Sequence, residues 1–328
     1  MSRPRPRLQT LIVEVTQRCN HACQYCYNVW HGGDTASPAY PQGELDTAGM
    51  LRLLGKALDE TRCTHVTLTG GEPLLRADLP LLVDFLRQRE VRTTIISNGH
   101  LLDAARIADL IQRGVGLFEL PLLSHTAALH DQLSAAPGAW QAVLRAMANI
   151  RLQHGQFVAA FVATRLNIAH LTETIRLAFA LGARAFMLNR FNPGGRGRQY
   201  LEMLLPNAEE LRQALQVAEA AAVQYGLPIQ CSIPIQPCLI DTTEFPHLGF
   251  GFCAAGGNRA YYTLDPLGNL RPCNHSDLIL GNLLDAPFAE LIASEAMQHF
   301  TRALPPSCLP CERHSTCQGG CKAAAQVC

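Results

Sequence analysis

The chain has no excess of charge of either sign: lysine and arginine number 27, aspartate and glutamate 27. A balanced chain gives no electrostatic case for nucleic acid or an anionic membrane, so neither is expected as a partner. Long apolar runs are also missing. The basic start, MSRPRPRLQT, is followed only by LIVEV, far too short for a secretory core or a membrane span. A cytoplasmic protein is expected. Internal repeats and low-complexity tracts are absent as well. What remains is 328 residues, 48% hydrophobic and 16% charged, enough for one large domain or two modest ones.

Cysteine, by contrast, is abundant. There are 13, an odd number, and ten of them fall in two tracts, Cys19 to Cys26 and Cys253 to Cys328. In a reducing compartment such tracts suit metal or Fe–S ligation rather than disulfides. A secreted disulfide scaffold would be smaller and would carry a signal peptide.

Apolar strand-like runs alternate with helix-like stretches. Strands are expected at Leu11–Val15, Val66–Thr69, Thr93–Ser97, Leu117–Leu122, Phe157–Ala163 and Ala185–Asn189. Helices are expected between them at Thr47–Glu60, Leu79–Arg89, Asp103–Arg113, Ala139–His154 and His170–Leu181. This repetition implies a parallel sheet with helical crossovers, in α/β class, closed as a barrel or partial barrel. Such folds carry their chemistry on loops at the C-terminal ends of strands. After FNPGGRGRQY, which reads as a flexible loop, Pro206–Gly226 reads as a long amphipathic helix and the Pro- and Gly-rich stretch to Cys253 as a bridge. YYTLDPLGNLRPC reads as a hairpin turning at Pro266–Asn269, and Asp285–Leu304 as one helix. The division expected is 1–205, 206–252 and 253–328.

The stretch CNHACQYCYNVW follows the first strand and places Cys19, Cys23 and Cys26 in a Cys-x3-Cys-x2-Cys loop. A [4Fe–4S] cluster has four irons, each usually held by one thiolate, so three thiolates leave one iron open for another ligand. The alternative is a three-cysteine zinc loop, closed by His21 or His31. TLTGGEP at 67–73 follows the second strand and ISNG at 96–99 the third.

These motifs resemble the radical SAM superfamily. The resemblance implies a partial (β/α)6 TIM-like barrel. In it Cys19, Cys23 and Cys26 hold a [4Fe–4S] cluster, and S-adenosylmethionine (SAM) chelates the fourth iron. Reductive cleavage then releases a 5′-deoxyadenosyl radical, which takes a hydrogen atom from the substrate. Gly70 and Gly71 would let the backbone approach SAM, Glu72, followed by Pro73, would accept from its ammonium group, Ser97 and Asn98 would lie by the ribose, and Tyr25 would bracket the adenine. Ser124, Arg165 and Asn167, at later strand ends, are further candidates to line the pocket.

The second tract runs Cys253, Cys273, Cys308, Cys311, Cys317, Cys321 and Cys328. It resembles the SPASM extension, a small C-terminal cysteine-rich Fe–S domain with two auxiliary [4Fe–4S] clusters. The resemblance implies that Cys253, Cys273 and Cys321 hold the first, and Cys308, Cys311, Cys317 and Cys328 the second. Cys238 is the candidate fourth ligand of the first, an iron open to substrate being its rival. Two zinc sites, including a ribbon over 308–321, are the alternative. Cys63 and Cys231 read as buried small residues. His130–Asp131 reads as a capped helix start with a catalytic dyad as the rival, and His275 as a cluster neighbour or a hairpin residue.

The expected activity is therefore peptide maturation: cross-linking, decarboxylation or backbone excision of a ribosomally made precursor. A sulfatase-type maturase making formylglycine is the runner-up; it would need an acidic base, for which Asp131 and Glu119 are the candidates. A non-catalytic Fe–S or zinc module is the alternative from another class. The chain begins almost at its first strand, so a separate leader-peptide-binding protein is expected, with an external flavodoxin- or ferredoxin-type electron donor.

Overall fold

The computed structural model describes residues 6–8, 10–30, 40–257, 260–313 and 317–326. The apolar runs form parallel strands: β1 (Leu11–Glu14), β2 (His65–Thr69), β3 (Arg92–Ile96), β4 (Val115–Pro121), β5 (Phe157–Ala163) and β6 (Ala185–Arg190). Helices α1 (Thr47–Glu60), α2 (Leu79–Gln88), α3 (Ala104–Arg113), α4 (Ala127–Ser134), α5 (Ala139–Leu152) and α6 (Leu171–Ala180) make the crossovers. The starts are encoded locally. Asp46 accepts from Gly49 N ahead of α1, and Asp103 from Arg106 N ahead of α3.

The sheet does not stop at six strands. Short helix α7 (Leu201–Leu204) and long helix α8 (Ala208–Tyr225) lead into β7 (Ile229–Cys231) and β8 (Leu248–Phe250), which extend one edge. The stretch expected as a bridge thus contains two strands of the main sheet. On the other edge β9 (Tyr262–Leu264) pairs in parallel with β1, Ile12 opposite Thr263. Strands β10 (Asn269–Arg271) and β11 (Gly281–Asn282) follow antiparallel, with the expected hairpin between β9 and β10. The cysteine-rich region is thereby joined to the first strand of the barrel.

The segment expected as a single helix over 285–304 is two, α9 (Phe288–Ile292) and α10 (Glu295–Arg302). Ser294 interrupts them because its hydroxyl accepts from Met297 N and starts the second helix afresh.

The two faces of the sheet differ. On β4, Phe118 and Leu120 are fully buried in the core shared with the helices, whereas Leu117, Glu119 and Pro121 keep accessible surface. The same alternation runs through β5 and β6: Phe161, Phe186 and Leu188 are core, Val162, Met187 and Asn189 half-buried. Register aligns the second set across the strands, Glu14 with Thr69, Ile96 with Glu119, and Glu119 with Val158. That set lines the concave side of the partial barrel.

Candidate active site

The loop after β1 brings Cys19, Cys23 and Cys26 to the strand ends, and its neighbours hold it there. Gly71 N donates to Thr16 O and Glu72 N to Arg18 O, both at 2.8 Å. A Cβ on Gly70 would stand 2.4 Å from Thr16 O, and one on Gly71 2.1 Å from Arg18 O. The two glycines are therefore needed by the cysteine loop itself, whose backbone fills the space that a side chain would take. Asn98 Nδ2 donates to Asn20 Oδ1 at 2.7 Å, and Asn28 Nδ2 to Gly70 O at 2.6 Å. Gln24 N donates to Leu133 O on α4 (2.9 Å), and Gly197 N to Cys26 O (3.0 Å). The NPGGRGRQY stretch is thus a turn packed on the cysteine loop rather than a free loop. The charge of its Arg196 favours the thiolates of Cys19 and Cys26.

Glu72 is fully buried. Its Oε1 accepts from Leu74 N (3.1 Å) and Ser97 Oγ (2.9 Å), its Oε2 from Asn98 N (2.8 Å). Burial raises its pKa to about 7 against the pull of these bonds. Glu72 and Ser97 thereby fasten the GGEP turn to the ISNG turn. Pro73 is buried at the start of a 3-10 turn, Pro73–Leu75.

The other candidates are placed as follows. Tyr25 packs its ring on Leu123, Leu133, Phe191 and Leu204 and hydrogen-bonds Cys23. Ser124 Oγ lies 3.0 Å from His170 Nδ1 and 3.1 Å from Thr126 Oγ1. Asn167 is fully buried: Nδ2 donates to Leu123 O (2.9 Å) and Val162 O (3.0 Å), while Oδ1 accepts from Thr164 N (2.7 Å) and Thr164 Oγ1 (2.9 Å). All four amide valences are used within the protein, so Asn167 braces the ends of β4 and β5. Arg165 is exposed and turns to Glu210 (3.6 Å) and Glu202 O (3.1 Å). His130 Nδ1 accepts from Leu123 N (3.2 Å), and Asp131 accepts from Gly138 N (2.7 Å) and Trp140 N (2.8 Å), capping the next helix. Both lie inside α4 rather than at its start. His21 meets His100 at 3.3 Å; His31 lies outside the described residues.

Among the C-terminal cysteines, Cys253, Cys273 and Cys321 lie within electrostatic reach of one another. Burial pushes Cys273 up to about 12, and the charges of Cys321 and Cys253 push the same way, so these three lie close together. Asn192 Nδ2 stands 3.7 Å from Cys321 Sγ. Cys308, Cys311 and Cys317 lie on successive turns, with Cys311 N donating to Cys308 O at 3.2 Å and Gly320 N to Cys317 O at 3.0 Å. Lys322 is within electrostatic reach of three of these cysteines: burial lowers its pKa, while Cys253, Cys308 and Cys317 raise it. Cys238 is on an exposed turn docked to the segment between Cys311 and Cys321, since Arg313 Nη1 donates to Pro237 O at 2.7 Å. Cys328 lies outside the described residues. Cys231 is 2% exposed in the core, and Cys63 donates its thiol to His65 O at 3.1 Å.

A model of the radical SAM superfamily matches residues 13–178, half of the chain, spanning the cysteine loop and both turns bound to it. The chain belongs to the radical SAM superfamily. The SPASM iron-sulfur cluster-binding domain matches residues 253–318. A PqqA peptide cyclase of Gluconobacter oxydans is 27% identical over 100% of this chain and 88% of its own length. An AdoMet-dependent heme synthase of Oleidesulfovibrio alaskensis is 25% identical over 97% of this chain and 83% of its own. The crystal structure of Streptococcus suis SuiB bound to precursor peptide SuiA superposes with a TM-score of 0.72 at 17% identity, covering 96% of this chain and 72% of SuiB. That likeness is one of fold.

This radical SAM enzyme therefore binds SAM and iron-sulfur, and its three loop thiols lie close enough to act on one another electrostatically. Burial pushes the Cys26 thiol up to about 11 and the Cys23 thiol higher, and Cys19 adds its charge to both. Thiols buried together repel one another once ionised, and bound iron offsets that repulsion. No helix among the described residues is long and apolar enough to cross a membrane.

Two features of the site escaped the sequence reading. Glu14 on β1 and Arg271 on β10 form a fully buried ion pair, and Tyr27, next to Cys26, packs at a tilt against His275, two residues after Cys273, with ring centroids 4.2 Å apart. The signal for the first was present: Glu14 is the one charge in LIVEV.

Proposed function

We propose that this chain is a SPASM-type peptide maturase acting on a ribosomally made precursor. The observation that carries the reading is the joining of two cysteine regions on one sheet, with β9 beside β1. The PqqA peptide cyclase relative, alike over the whole chain, supports a peptide as substrate.

In this reading Cys19, Cys23 and Cys26 hold the cluster that binds SAM. Tyr25, the Gly70–Pro73 turn, Ser97 and Asn98 form the wall beside it, with Ser124 and Asn167 behind. Bound SAM supplies a hydrogen-abstracting radical on reduction. Cys253, Cys273 and Cys321, completed by Cys238, hold one auxiliary cluster, and Cys308, Cys311, Cys317 and Cys328 the second. Residues 1–205, 206–252 and 253–328 divide these tasks as barrel, connection and auxiliary region. A separate leader-peptide-binding protein, an external flavodoxin- or ferredoxin-type donor and a cytoplasmic setting complete the proposal.

The test is anaerobic co-expression with short reading frames from the genomic neighbourhood, read by peptide mass. A loss of about 2 Da marks an oxidative cross-link, and a larger loss decarboxylation or excision. Peptides left unchanged by enzyme with a full iron load and deoxyadenosine release overturn the maturase reading. They would direct the search to a porphyrin-type substrate, as the name of the heme synthase relative suggests.

A further inference from the structure

The lumen of the partial barrel holds one carboxyl group that no side chain or backbone group among the described residues engages. Glu119 stands on β4, a central strand, in register with Ile96 on β3 and Val158 on β5. Its neighbours Phe118 and Leu120 are fully buried on the helix side, so Glu119 faces the concave side, where it keeps accessible surface. Its backbone is tied to the SAM-side wall, since Ser97 N donates to Glu119 O at 3.1 Å. Its side chain has no hydrogen-bond or ion-pair partner among the described residues. The other lumen carboxylate, Glu14, is paired with Arg271, and Glu72 is held by three hydrogen bonds. Tyr27 feels the charges of both Glu14 and Glu119, which puts Glu119 within electrostatic reach of the residue next to Cys26.

A carboxyl largely withdrawn from water, with no partner among the described residues, loses hydration that a surface position would keep. Such a position is consistent with a partner that arrives from outside. We propose that Glu119 is a substrate-binding residue: its carboxyl receives a hydrogen-bond donor, an N–H or O–H group, of the precursor residue that reacts. This rests on the maturase reading above. Burial alone raises its pKa to about 7, so near neutrality the group is available in its neutral form as well as its ionised one.

The first test is labelling of iron-loaded, full-length enzyme with dicyclohexylcarbodiimide, which attacks protonated carboxyls in apolar surroundings, followed by peptide mapping. Label is expected at Glu119 ahead of Glu14 and Glu72, and the precursor that the wild type modifies should block it. The second is the affinity of that precursor, fluorescein-labelled, for Glu119→Leu and Glu119→Gln, with iron content as the control of folding. Loss of the acceptor in Glu119→Leu is expected to weaken binding about 10- to 100-fold, while Glu119→Gln, which keeps an acceptor, stays within about threefold. Wild-type affinity in Glu119→Leu, or label that the precursor does not block, overturns the assignment. A wild type that modifies no precursor at all overturns the maturase reading instead, whatever the label shows.

Discussion

Replacing Arg271 by leucine should destabilise the protein by several kcal/mol, and adding Glu14→Leu should restore most of the loss. Both side chains are fully buried, and they pair directly. Burial already raises Glu14 to about 7, with Arg271 the first of the groups holding it down. Breaking such a pair leaves a buried charge uncompensated, at about 3–5 kcal/mol. The guanidinium also lies 5.3 Å from the Trp30 ring and 5.6 Å from the Tyr40 ring, and it donates to Ser276 O at 2.9 Å. These contacts bring the expected loss to roughly 5 kcal/mol at pH 8, counted without full additivity. The loss has a pH signature. Without Arg271 the folded pKa of Glu14 rises above about 7, so the variant's fold holds a proton that the unfolded chain, near 4.5, releases. Raising the pH through that window therefore weakens the variant more than the wild type. Urea unfolding of the iron-loaded protein, followed anaerobically by circular dichroism at pH 5.5 and 8, measures both effects. A deficit below about 1 kcal/mol at pH 8, or a double variant no better than Arg271→Leu, would refute the reasoning.

Three further outcomes are expected. Gly71→Ala must drive its methyl into Arg18 O, 2.1 Å away, so the cysteine loop should move and iron content should fall by about four atoms per chain; an unchanged iron count counts against the packing argument. Asn167→Ala leaves Leu123 O, Val162 O and Thr164 N unpaired and should cost about 2–4 kcal/mol, read from urea unfolding, with an effect below about 0.5 kcal/mol contradicting the brace. Glu119 holds its proton in the fold up to about 7, against an ordinary value of 4.5, so wild-type stability falls as pH rises through that window. Glu119→Gln escapes this fall and should match the wild type at pH 4 yet exceed it at pH 8, by about 3 kcal/mol at most given the accessible surface Glu119 keeps; equal stability at both pH values would refute the raised pKa.

The barrel was legible because its signals are local. Strands β1 to β6 and helices α1, α2, α3, α5 and α6 show their periodicity over runs of four to fourteen residues, and Asp46 and Asp103 mark two helix starts. Strands β7 and β8 have three residues each, too few for an alternation to register, and they sit in a Pro-rich stretch that reads as connection. The long helix expected over 285–304 fails at Ser294, a residue neutral in composition but decisive as a cap. The site divides in the same way. Spacing identifies Cys19, Cys23 and Cys26, but it cannot tell that Asn167 spends its whole amide within the protein, on three backbone groups and the Thr164 hydroxyl, or that Arg165 turns outward to Glu210.

The pairing of β9 with β1 joins residues 251 positions apart in the chain, Ile12 and Thr263, and no local pattern encodes it. Its consequences are physical. Glu14 precedes Cys19 by five residues and Arg271 precedes Cys273 by two, so the buried ion pair fixes the roots of both cysteine regions in one frame. Tyr27 and His275 then meet beyond the strand ends, each within two residues of a cysteine of its own region. A displacement of either loop would open that ring contact and strain an ion pair that has no water to replace it. The two cysteine regions are held on one sheet by these contacts, and the carboxyl of Glu119, unpartnered among the described residues, faces the lumen of that sheet.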